Sequence, residues 1–135
     1  MSTRCIRKPR TADQEEAVIV GVDLGKTVFQ LCVADKAWRP IESKRLSRSQ
    51  FEHYFVSRRV SLVVMEACAT SHHWARWMAK LGIEVMLIPA QYVRAYVRRN
   101  KTDAADAAAL LEAARCPDIR PVRIKGVEQQ ALQTL

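Results

Sequence analysis

Four carboxylates stand where solubility does not ask for them. Asp23 closes the apolar run AVIVGVDL, Glu66 closes SLVVME, and Asp103 and Asp106 lie one helical turn apart at the head of an Ala-rich segment. A carboxylate at the C-terminal end of a buried parallel strand sits where open α/β sheets hold their ligands, and its desolvation is costly unless a cation compensates. With Ala107, Leu110 and Ala114, the two later acids share one helical stripe, so the stripe that should face a sheet begins with them. The expectation is convergence of all four carboxylates on one place. Such a set either shares protons or holds metal, and two divalent cations would neutralise it. Oxygen-only ligands favour Mg²⁺ or Mn²⁺ over zinc, and two such ions roughly 4 Å apart stabilise both the attacking and the leaving oxygen in phosphodiester cleavage.

The cations fit that chemistry. Lys26 follows Asp23 closely, and Arg94, Arg98, Arg99 and Lys101 lead into Asp103 with no acid among them. They are placed where the phosphates of a nucleic acid would lie. The whole chain carries 22 Lys plus Arg against 14 Asp plus Glu, a formal charge of +8, which favours a polyanionic partner. Each acid alone also has a plain structural explanation. Asp103 suits the first turn of a helix capped by Asn100, Asp23 suits a turn before Gly25, and Glu66 suits a strand end. The basic stretch would equally suit a solvated face. His72 and His73 have no further ligands at zinc spacing, and the aromatic stripes read as core.

The elements that must position these residues can be read from periodicity. AVIVGVDL and TVFQLCVA, joined by a turn at Gly25 and Lys26, read as an antiparallel hairpin from about Ala17 to Ala34. A weaker strand falls between Trp38 and Leu46. Phe51, Tyr54 and Phe55 then suggest a short helix from about Ser47. SLVVME is a strand, and Trp74, Trp77, Met78 and Leu81 mark an amphipathic helix that Gly82 ends. IEVMLIP is a further strand, stopped at Pro89, and a last helix runs from near Thr102 to about Arg115, before Pro117. The class is α/β, in one domain from about 17 to 121, with a flexible basic arm over 1–16 and a tail over 122–135. Short apolar runs and the lack of a signal peptide argue against membrane spans and export, and place the chain in the cytoplasm with the nucleoid. Cys5, Cys32, Cys68 and Cys116 form no Cys-x-x-Cys pair and read as reduced thiols, three of them packed.

The segments VGVDLGKTVFQ, VVMEACATSHHWARWMAKLGIEVMLIPAQYVRAYVRRNKTDAADAAALLEAA and PVRIKGVEQQA resemble the N-terminal domain of the DEDD transposases of insertion-sequence family one-hundred-ten, whose relatives include the Piv-type DNA invertases. The resemblance covers about residues 17 to 135, closest to the one-thousand-one-hundred-eleven subgroup. It implies an RNase H-like, RuvC-type fold in which Asp23, Glu66, Asp103 and Asp106 are the metal ligands. It also implies DNA transposition through recombination-type intermediates, a structured guide RNA, and assembly into homo-oligomers. Around Ala69 to Ser71 the chain departs from the family, where glycine is common. Family members continue into a helical region and a second domain bearing a catalytic serine, and the tail would lead toward those parts.

Three rivals belong to other classes. GVDLGKT is similar to the phosphate-binding turn of actin-like and sugar-kinase ATPases, but those close two such domains over a nucleotide. A non-catalytic nucleic-acid-binding remnant and a stand-alone Holliday-junction nuclease remain alternatives.

Overall fold

The computed structural model describes residues 16–97, 103–128 and 130, with the side chains of 95–97 and 103–105 outside that description. The expected arm, up to residue 15, and Arg98, Arg99 and Lys101 also lie outside the described residues.

Five strands form one mixed sheet in the order β3-β2-β1-β4-β5. Strands β1 (Val18–Leu24), β2 (Val28–Ala34) and β3 (Pro40–Ser47) are antiparallel neighbours, while β4 (Val60–Glu66) and β5 (Glu84–Ile88) join β1 in parallel. Val-rich and Ile-rich runs make the central strands, because β-branched side chains suit a pleated surface buried on both sides. Helices α1 (Arg48–Ser57), α2 (Ala69–Lys80), α3 (Ala90–Val97) and α4 (Asp103–Ala114) complete an α/β domain of the RNase H-like kind.

Strand alternation sorts the core into two layers. Val18, Val20 and Val22 point with Leu31, Val63 and Met65 toward α1 and α2, where Phe51, Phe55, Trp74 and Met78 are buried. Phe29, Phe51 and Trp74 meet there with ring centroids 4.3 to 5.7 Å apart, confirming the aromatic stripes as core. Ile19, Cys32 and Val64 point the other way, against Val93 of α3 and Ala107, Leu110 and Leu111 of α4.

The hairpin, the parallel strands and the first, second and last helices fall close to their expected bounds. Three features do not. The basic stretch after Pro89 begins as a helix, α3, whose Val93 is buried under Arg94 on the exposed side. Cys32 is buried and Cys116 half-buried, but Cys68 is exposed at the start of α2, so it is not packed. Residues 122–128 lie against the domain: Val122 bridges Leu87 of β5, and Arg76 of α2 donates to the carbonyl of Lys125.

Candidate functional site

The register brings the predicted acids of the sheet together. β1 and β4 pair through Val22 and Met65, and one residue further along these parallel strands stand Asp23 and Glu66. Neighbouring strands lie roughly 4.8 Å apart, so the two carboxylates project side by side. Both share the parity of Gly21 and Val64, which places them on the face that α4 covers. The chain leaves that end of the sheet by two tight turns. After β1, Gly25 donates to the carbonyl of Val28 at 3.1 Å, and a Cβ on Gly25 would stand 2.3 Å from that same oxygen, so the turn demands glycine. After Glu66, the buried Ser71 hydroxyl accepts from the Cys68 N–H and donates to the Cys68 carbonyl, both at 2.8 Å, fixing the entry to α2.

Helix α4 reaches the same end because Gly21 lets it approach. A Cβ on Gly21 would lie 2.5 Å from the carbonyl oxygen of Ala107 and 3.0 Å from Leu111 Cγ. Asp106, one residue before Ala107, is half-buried, with its Oδ1 removed from solvent. Asp103 opens the same helix, one turn earlier, and its side chain is outside the described residues. Among the described residues, no three His, Cys, Asp or Glu side chains approach closely enough to hold an ion. Asp23 and Glu66 stand at adjacent strand ends on the face that α4 covers, and Asp106 lies on that helix next to the Ala107–Gly21 contact; carboxylate oxygens are the donor type that Mg²⁺ and Mn²⁺ accept.

Lys26 is exposed in the turn that follows Asp23, and Arg94 is exposed on α3. Sequence reasoning overlooked the other side of Asp23. Across the sheet on this face, Arg45 of β3 stands opposite Gln30 of β2, and Gln30 opposite Asp23. Gln30 is only 6% exposed, and its Nε2 donates to Ser43 Oγ at 2.9 Å. The signal was present in the strand alternation: Gln30 is the one strongly polar side chain within VFQLCVA, placed by the hairpin register beside the acid.

His72 has a structural role. It is buried, and its Nδ1 accepts from the Lys125 N–H at 3.0 Å, tying the backbone at Lys125 to α2. Burial, with the positive charges of Lys125 and Arg76, lowers its pKa below the ordinary histidine value. Below about pH 6.5 the unfolded chain binds this proton more readily than the fold does, so stability is complete above that pH and drains away as acid protonates the ring. His72→Asn, which keeps an acceptor without titrating, is expected to flatten the fall in Tm between pH 7 and pH 5. An equally steep fall in the variant would exclude His72 as the cause.

A family model described as a transposase, of the DEDD type of IS110, matches residues 20–135. The transposase for insertion sequence element IS1111A of Coxiella burnetii is 42% identical over 96% of this chain and 36% of its own length. The putative transposase y4pF/y4sB of Sinorhizobium fredii is 43% identical over 87% of this chain and 30% of its own. The transposase for insertion sequence element IS1328 of Yersinia enterocolitica is 37% identical over 87% and 35%. The chain spans about a third of the length of these relatives. Matched by that family model over residues 20–135 and by relatives 37% to 43% identical, this RNase H-like chain belongs to the IS110 family of DEDD transposases.

Proposed function

We propose that this domain binds DNA and divalent metal for strand cleavage in transposition. The observation that carries the reading is the placement of Asp23 and Glu66 side by side at the ends of adjacent parallel strands, beneath the helix that bears Asp103 and Asp106. In this reading Asp23, Glu66, Asp103 and Asp106 hold two Mg²⁺ or Mn²⁺ ions. Those ions would polarise the scissile phosphodiester and stabilise charge on its oxygens. The protein's own part is to fix the carboxylates on two strands and one helix, and to hold the substrate. Lys26, Arg94, Arg98, Arg99 and Lys101 contact phosphates and not base edges, orienting the strand without reading its sequence. Dimeric or higher assembly and a structured guide RNA belong to the same reading, as does a site of action on nucleoid DNA. Completion of strand exchange rests on more of the protein than this domain.

The reading is tested by DNA affinity. The chain is expected to bind duplex DNA with an affinity that falls steeply with salt and rises when Mn²⁺ is added. An affinity indifferent to both would overturn it.

A further inference from the structure

The sheet face beside Asp23 is only partly covered. Helix α4 lies over β1, β2, β4 and β5, but on the same side of β3 the residues Ser43 and Arg45 are both exposed. On the opposite side of β3, Lys44 and Leu46 are half-buried toward α1. The polar residues of the open side are therefore displayed to solvent next to the candidate catalytic end of the sheet.

Their partners distinguish them from the other cations nearby. Arg39 pairs with Asp35 at 3.2 Å, Lys44 with Glu42 at 3.3 Å and Arg48 with Glu52 at 3.5 Å. Among the described residues Arg45 has no ion pair, although it stands in the register row of Gln30 and Asp23. Ser43 is on the same face, two residues away, roughly 7 Å along the strand. Its Oγ accepts the Gln30 amide, which leaves the O–H to donate outward. A guanidinium and a hydroxyl donor on one exposed face suit a phosphate.

We propose that Ser43 and Arg45 form a subsite for a phosphate that flanks the one at the carboxylates, so that the DNA strand crosses the sheet end from β4 toward β3. Asp23 and Arg45 are two strand spacings apart, about 10 Å. A DNA strand carries one charge per ~3.4 Å of axis, so a phosphate roughly two or three nucleotides from one held at Asp23 falls over Arg45. Gln30 is a positioning residue here: buried between the acid and the hydroxyl, it fixes Ser43 and reaches no substrate itself. The subsite rests on the function proposed above and adds a direction for the strand.

The test measures binding of a labelled DNA duplex by the full chain across a salt series, with EDTA present so that carboxylate-bound metal contributes nothing. Arg45→Ala is expected to weaken binding about threefold to tenfold at low salt and to lower the salt slope by about one ion. Arg45→Lys should restore the slope but only part of the affinity, since the charge returns without the planar fork. Lys44→Ala, on the opposite face, should leave both unchanged. Unaltered binding by Arg45→Ala, or equal losses in Arg45→Ala and Lys44→Ala, would overturn the subsite while leaving the proposed function in place. If the unmodified chain shows no salt-dependent binding, the proposed function fails and the subsite fails with it.

Discussion

Replacing Asp23 with Asn, or Glu66 with Gln, is expected to abolish stabilisation of the fold by Mn²⁺ while leaving the metal-free protein as stable as before or more so. The expectation follows from what adjacency costs. Like-charged carboxylates at neighbouring strand ends gain nothing from each other, whereas a bound cation attracts both, and neutralising one of them removes half of that attraction. A metal that binds the folded state alone raises Tm by mass action, about 2.7 kcal/mol at a hundredfold excess over Kd. The unmodified chain should therefore gain several degrees on adding Mn²⁺, and each variant almost nothing. Loss of an outer-shell partner already costs roughly 10-fold to 100-fold in metal affinity, and loss of a direct ligand should exceed that. Thermal unfolding in EDTA and in Mn²⁺ separates the roles. If the variants are destabilised equally in both, Asp23 and Glu66 are structural acids and the metal reading is wrong.

The part of this site that was legible in sequence was the part encoded locally. Val and Ile runs ending in Asp23 and Glu66 announced two buried strands and their ligand ends, because composition and termination are properties of a short window. The aromatic spacing through Trp74 and Met78 announced α2 for the same reason. β3 was weaker as a signal because an edge strand with one open face carries polar residues on it, as PIESKRLS does. The basic stretch hid a helix, since α3 is only eight residues long and carries Arg94 within its apolar pattern. Gln30 and Arg45 escaped notice for another reason. Their nearness to Asp23 depends on the register of two hairpins, and a one-residue slip in either would turn them to the other face. The need for glycine at position 21 is less local still, being set by where α4 crosses β1.

That crossing leads to the second large effect. Gly21→Ala is expected to lower Tm by roughly 5 to 15 °C, the range that 1–3 kcal/mol of overpacking gives in a domain of this size, and to weaken Mn²⁺ binding although every carboxylate is retained. The added Cβ would stand 2.5 Å from a backbone oxygen, that of Ala107, and a helix carbonyl cannot swing aside as a side-chain end can. Relief requires α4 to lift from β1, and Asp106, the residue before Ala107, must move with it. Gly82→Ala is the control. Gly82 has φ +81 with open space around it, so alanine there meets no atom within 4 Å and suffers only the left-handed backbone penalty, about 1 kcal/mol. It lies beyond the C-terminal end of α2, remote from α4 in the fold, and should leave Mn²⁺ affinity unchanged. If Gly21→Ala unfolds at the wild-type temperature and binds Mn²⁺ fully, α4 is not seated on β1 as described. A loss of metal affinity in both variants would show instead that any destabilisation loosens the site, and the specific coupling through Gly21 would be refuted.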